Sequence, residues 1–287
     1  MIQHDLSSLA RALAAGRLVP YLGPGVLALS SPKPPVPHSL QTLAAALCAK
    51  ASVPHKIRNN PTAAAQFIEN FKHRKTLTKI MSEAFRDAAP VSRLHSLIAS
   101  LETLPLVVAA WYDDALSRAL EGRDGWGMVQ GVSQAEHHGA WVKYYDAEGT
   151  EVSAAEAANW PTLVYQPLGS VAPAGNFLIS DSDYVEVLTE IDIQTPIPAL
   201  VQERRRDRGF VFLGERFATQ LERSFARQII KRSAGPHFAV LPGEPTKNEL
   251  RFLAEQNITR IDIPLEIVAA RLAAEPSAPP LAAAGGG

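Results

Sequence analysis

Residues 101–122 read LETLPLVVAAWYDDALSRALEG. Leu104 to Ala110 is a continuous apolar run, the composition of a strand buried on both faces of a parallel sheet. Asp113 or Asp114 then opens a helix, which Gly122 ends. A strand, a short acidic turn and a helix form half of a βαβ unit. The same alternation recurs in both directions along the chain.

Upstream, DLSSLARALAA (5–15) predicts a helix capped by Asp5 or Ser7, with Leu6, Leu9, Ala10 and Leu13 on one stripe. Gly16 stops it. Leu18–Leu22 reads as a strand running straight into Gly23-Pro24-Gly25, a glycine turn. Residues 30–39, SSPKPPVPHS, carry four prolines and are expected to form a non-helical loop, a lid or a connector. Helical patterns fill most of 39–50 and 61–101, punctuated at Pro54, Pro61 and Pro90.

Downstream, WGMVQGVSQAEHHGAWVKYYD (126–146) predicts a β-hairpin with its turn at Gly139. TLVYQPLGSV (162–171) is a strand. NFLISDSDYVEVLTEI (176–191) is a strand and then a helix opening at Ser182 or Asp183. GFVFLGERFATQLERSFARQIIKR (209–232) is a third strand-to-helix pair. PHFAVLPGE gives a strand, TKNELRFLAEQN a helix with a Thr246/Glu249 capping box, and ITRIDIPL a closing strand. The expected fold class is therefore α/β, a doubly wound, mostly parallel Rossmann-like sheet. It forms one domain over 1–272, with a helical insertion at about 39–101 and a hairpin insertion at about 122–160. The run EPSAPPLAAAGGG leads to the expectation of a disordered tail over 273–287.

Composition limits the function classes. Of 287 residues, 46% are apolar, enough to build a core, and 28 Lys plus Arg against 29 Asp plus Glu leave a net charge of -1. That balance argues against a nucleic-acid or anionic-membrane binder. The single cysteine, Cys48, excludes an intramolecular disulfide framework and a multi-cysteine zinc site. With no secretory signal pattern and no apolar run long enough for a membrane span, a cytoplasmic protein is expected.

Three apolar strands end in glycine or small residues, at the sheet edge where open α/β folds bind ligands: LVPYLGPGV with Gly23 and Gly25, VVAAWYDDAL with Asp113, and FVFLGERF with Gly214. Taken in order, these segments resemble the sirtuin-like (silent information regulator-like) family, in its zinc-ribbon-free bacterial branch, over roughly residues 8–265. GRLVPYLGPGVL (16–27) is similar to the family's glycine-rich loop for the pyrophosphate of NAD. LPLVVAAWYDDALSRAL (104–120) is similar to the strand ending in Thr-Thr-Asn-Tyr-Asp. LVYQPLGSV (163–171) is similar to the strand with the His-Gly pair, ISDSDYVEVL (179–188) to the Asp-Tyr segment, GFVFLGERF (209–217) to the step at the far ribose, and PHFAVL (236–241) to the last adenine-side strand.

The resemblance implies NAD or an ADP-ribose-type ligand, no zinc, and cofactor-binding positions at Gly23, Gly25, Val26, Asp113, Gly169, Gly214 and Glu215. It also places Trp111 at the family's catalytic asparagine and Leu168 at its general-base histidine. Indole offers one N–H donor and no acceptor, and leucine cannot take a proton. Asp113 is the remaining catalytic candidate. Pro24 withholds one backbone N–H from the loop, and Glu215 would repel a nearby phosphate.

Among other groups, His95, His137, His138 and His237 are histidines to weigh as bases. His137 and His138, adjacent on a strand, would face opposite sides and not share one metal. ERRRDR (203–208) is either a phosphate patch or a solvated helix end. Trp126, Trp141, Tyr144 and Tyr145 are either a contact face or hairpin packing. Three functions follow: a catalytically degenerate, nucleotide-binding sensor or binding module; an NAD-hydrolysing enzyme with a non-standard base; or a structural subunit with a closed pocket. A protein partner or homo-oligomer is left open by the sequence.

Overall fold

A computed structural model describes residues 6–193 and 197–274. The chain begins with helix α1 (Leu6–Ala14) and strand β1 (Leu18–Leu22), followed by helices α2 (Leu40–Lys50), α3 (Pro61–Lys72), α4 (Arg74–Ala84) and α5 (Arg93–Ser100). Next come β2 (Leu106–Ala109), α6 (Ala115–Ala119), β3 (Trp126–Gly131), β4 (Val142–Asp146), β5 (Glu151–Val152) and α7 (Ala154–Ala157). Strands β6 (Thr162–Gln166), β7 (Gly169–Ser170) and β8 (Asn176–Phe177) lead into α8 (Asp181–Ile193) and α9 (Ala199–Arg204). The last third is β9 (Gly209–Leu213), α10 (Gln220–Ile230), β10 (His237–Val240), α11 (Lys247–Glu255), β11 (Ile258–Ile261) and α12 (Leu265–Ala274).

Nine strands make one sheet in the order β11-β10-β9-β1-β2-β6-β3-β4-β5, while β7 and β8 pair separately. Every pairing from β11 to β3 is parallel, and β3–β4 and β4–β5 are antiparallel. The mixed α/β, mostly parallel class read from the alternation therefore holds. The hairpin over 126–146 forms, with Gly139 in positive φ, and it extends the sheet because β3 also pairs in parallel with β6.

Strand side chains alternate between two cores. Val19, Tyr21, Leu106, Val108, Phe210 and Phe212 pack on one face under α8, α9, α10 and α11. Leu18, Leu22, Val107, Val211 and Leu213 pack on the other, with α1, α5, α6 and α12. Period-2 alternation with both faces apolar is what a helix-covered parallel sheet requires. Each of the fully buried phenylalanines contributes about 1.5–3 kcal/mol. A third cluster joins α2, α3 and α4 to Trp111, Tyr112 and Phe177. Arg74, at the start of α4, ties this helical group to the rest through Asp183 at 2.7 Å and Glu136 at 3.1 Å.

Several local expectations change. Helix α8 starts at Asp181, one residue before the earlier of the two expected openings. The Ser180 hydroxyl accepts from the Asp183 N–H at 3.3 Å, and the Asp183 carboxylate accepts from the Ile179 and Ser180 N–H groups. Helix α12 was not read from the sequence. Of the tail expected over 273–287, Ala273 and Ala274 belong to α12 and the rest lies outside the described residues, as does Asp5 as a cap; Ser7 lies within α1.

The ERRRDR cluster divides: Glu203, Arg206 and Asp207 are exposed, as at a solvated helix end, while Arg204, Arg205 and Arg208 turn into the protein. Arg204 donates to the carbonyls of Pro105 and Trp160, Arg205 to those of Gln228 and Ile229, and Arg208 to those of Gly16 and Arg204. These guanidinium groups tie loop and helix ends together, adding a second donor at the Pro105 and Gln228 carbonyls, which also accept from the Leu163 and Lys231 N–H groups. Of the hairpin aromatics, Trp126 and Tyr145 are buried, and Trp141 and Tyr144 pack on the core.

Candidate functional site

Strands β1, β2, β6 and β9 all point their C-terminal ends at one cavity of about 640 Å³. The chain leaves β1 toward β2 on one side and later returns to β9 on the other, so the cavity lies at a topological switch point, where open α/β sheets bind ligands. Pro24, Trp111, Leu168 and Glu215 each come from the exit of one of these strands. The first turns of α2, α3, α8 and α10 complete the wall.

Of the residues singled out in the sequence, Trp111, Leu168 and Glu215 line the cavity. Trp111 is buried, and its Nε1 donates to the Pro37 carbonyl at 2.7 Å. Asp113 sits elsewhere. Its Oδ1 accepts from the Ala115 N–H at 2.9 Å and opens α6, while burial pushes its carboxyl up to about 6. Gly169 lies at the start of the β7–β8 pair with φ of +78°, where a Cβ would come within 2.2 Å of the Asn176 carbonyl oxygen. Val26 is buried in the core beneath the glycine loop.

Gly23, Gly25 and Gly214 meet one another. Gly23 N–H donates to the Leu213 carbonyl at 2.9 Å and Gly25 N–H to the Gly214 carbonyl at 2.9 Å, while Val26 N–H turns back to the Gly23 carbonyl. Pro24 has no N–H. A Cβ on Gly25 would lie 2.8 Å from the Gly214 oxygen, and Gly214 has φ of +69°. These glycines let two strand exits cross at backbone contact.

His95 and His237 have structural roles. His95 is buried in the capping box of α5 with Ser92, and burial pushes its imidazole down to about 4. His237 Nδ1 accepts from the Phe210 N–H at 3.1 Å. His137 and His138 lie in the loop between β3 and β4, not on a strand. Among the described residues no three His, Cys, Asp or Glu side chains are grouped to hold a metal, and no helix is long and apolar enough to cross a membrane.

The sequence reading missed Tyr21, Tyr184, Glu222 and Phe225 as lining residues. Glu222 had a signal: Thr219-Gln-Leu-Glu222 is a capping box, and its carboxylate accepts from the Thr219 N–H at 2.7 Å. The tyrosines had none, because strand and helix residues face a cavity only once packed.

The family model described as SIR2-like domain matches residues 105–261, more than half of the chain. The chain belongs to the SIR2-like family. No curated protein matches it. A solved structure described as "Structural Basis for the Mechanism and Regulation of Sir2 Enzymes" is 15% identical, with 95% of this chain and 97% of that chain covered and a TM-score of 0.41.

Membership of the SIR2-like family brings NAD into question, and the residues of this SIR2-like domain do not fit its pyrophosphate. The N–H groups of Gly23, Gly25 and Val26 are spent on protein carbonyls. None of the described lining residues is Lys, Arg or His, whereas Asp181, Glu215 and Glu222 are all present. Arg216, next to Glu215, is committed to Glu249 through bonds of 2.8 and 3.1 Å. The helix ends that could receive an anion carry their own acceptors: Asn60 Oδ1 caps α3, and Thr219 with Glu222 caps α10. Burial, with Glu222 second, holds the Glu215 carboxyl well above the usual carboxylate range.

Proposed function

We propose that this SIR2-like domain is a catalytically silent binding module, which holds a nucleoside-containing ligand in the switch-point cavity and acts as a sensor. The observation that carries the reading is the pair Trp111 and Leu168 on the cavity wall. These are the positions given by resemblance to the catalytic asparagine and histidine, and neither side chain can accept a proton. Asp113, the remaining candidate, is committed to the start of α6 and does not line the cavity. The lining is mainly apolar and aromatic with a few polar groups, the usual make-up of a small-molecule site.

A second reading, NAD hydrolysis with a non-standard base, has one observation in its favour. Glu215 is a cavity-lining carboxyl that burial holds well above its usual range, the direction that makes a carboxylate a stronger base. One pair of measurements separates the two. Calorimetric titration with NAD, ADP-ribose and adenosine reads binding, and release of nicotinamide from NAD reads turnover. Saturable binding of any of the three without nicotinamide release is the expected result. Nicotinamide release above buffer that disappears in Glu215→Gln would replace the module by the enzyme.

A further inference from the structure

Glu215 occupies the ground over the glycine loop. A Cβ built on Gly23 would lie 2.6 Å from both the Cα and the Oε2 of Glu215, so the carboxyl rests directly against that glycine. Its Oε1 accepts from the Arg216 N–H at 3.1 Å. Oε2 has no hydrogen-bond partner among the described residues, although Glu215 is 94% buried and lines the cavity. The Tyr21 hydroxyl, on the neighbouring strand and lining the same cavity, likewise has no hydrogen-bond partner among the described residues.

We infer that Glu215 takes the place of a phosphate over Gly23, and that the cavity therefore selects a nucleoside, base and ribose without phosphate, over NAD or ADP-ribose. This rests on the binding-module reading. The argument holds in either protonation state. An ionised carboxylate repels a phosphate in a site without a lining cation. A protonated carboxyl still fills the space, and the loop amides still face protein carbonyls.

What remains suits an uncharged, flat molecule. Tyr21, Trp111, Tyr184 and Phe225 give aromatic surface for a base. Glu215 Oε2 and the Tyr21 hydroxyl offer an acceptor and a donor–acceptor to ribose hydroxyls or an exocyclic amine. Both atoms lie on residues that line the cavity and make no hydrogen bond within the described protein, so they are free to pair with a ligand.

The test is calorimetric titration of the full chain with adenosine and with ADP-ribose, which share base and ribose and differ in phosphate. It is run on the wild type, Glu215→Ser and Glu215→Gln, with the melting temperature of each variant as a control for folding. The wild type is expected to bind adenosine at least about tenfold more tightly than ADP-ribose. Glu215→Ser, which removes both charge and volume, is expected to improve ADP-ribose at least about tenfold, and Glu215→Gln, which keeps the volume, to improve it less. Wild-type protein that binds ADP-ribose as well as adenosine overturns this inference and leaves the binding module standing. Flat heats from both ligands at millimolar concentration, in folded wild type and folded Glu215→Ser, overturn both.

Discussion

The indole Nε1 of Trp111 and the carbonyl of Pro37 are joined by a 2.7 Å hydrogen bond across 74 residues of chain. It fastens the proline-rich loop over 30–39 to the exit of β2, beside the cavity. Phe85 and Tyr112 pack against the indole, with ring centroids 6.2 and 5.1 Å away. The loop is therefore anchored near its end at the residue that stands in the family's asparagine position.

Trp111→Phe keeps most of the ring packing and removes the donor. The expected cost is about 1 kcal/mol of stability. Limited proteolysis reads the local effect: cleavage within 30–37 should speed up several-fold, while cleavage elsewhere stays at the wild-type rate. Uniform acceleration would mean that the bond supports the whole fold rather than the loop.

Gly23→Ala tests the crossing of the two strand exits. The new Cβ would meet the Glu215 Cα at 2.6 Å and the Gly214 oxygen at 2.7 Å, both backbone atoms that cannot swing aside. A loss of about 1–3 kcal/mol is expected, read as a lower urea midpoint with an unchanged slope. Combining it with Glu215→Gly should recover little, because the remaining contacts are main-chain.

Asp113 gives the stability a pH dependence of defined sign. Its folded carboxyl is raised to about 6 from an ordinary 3.8, so the folded state holds the proton more tightly. The resulting stabilisation is complete below about pH 4 and is lost as pH rises through 6, by at most about 3 kcal/mol. Asp113→Asn keeps an oxygen for the Ala115 N–H and removes the titration. Its stability relative to wild type should climb between pH 4 and pH 6.5 in urea titrations, and a constant difference would refute the assignment.

Arg205 should behave as a structural clamp. It is 97% buried and donates to the carbonyls of Gln228 and Ile229 at the end of α10. Arg205→Met is expected to lower stability by about 1–3 kcal/mol, with the Ile229 carbonyl left unpaired and that of Gln228 keeping only the Lys231 N–H. Affinity for RNA or polyphosphate should not change between this variant and wild type in filter binding at low salt. A loss of such binding would restore the phosphate-patch reading.

The limits of the sequence show most clearly at three places. LPLVVAAWYDD announced its strand, its turn and its helix, because an apolar run followed by an acidic cap leaves few alternatives. The same stretch gave Asp113 as a site residue, yet the carboxyl caps α6 away from the cavity. ERRRDR looked like a charge run, and only the approach of α10, β2 and α1 turned it into a set of carbonyl clamps.

What the sequence determined by itself was the sheet: β1, β2, β6 and β9 with apolar residues on both faces, capped helices between them, and glycines at their exits. Periodicity and capping are local, so they are written residue by residue. The tertiary structure decided what the exits do. Gly23, Gly25 and Gly214 read as a phosphate cradle, and they became a backbone crossing once β1 and β9 lay side by side. Glu215 read as a neighbour that would repel a phosphate, and it became the occupant of the space over Gly23. A backbone N–H can serve a ligand only if no carbonyl has reached it first, and that competition is settled by packing between segments almost 200 residues apart.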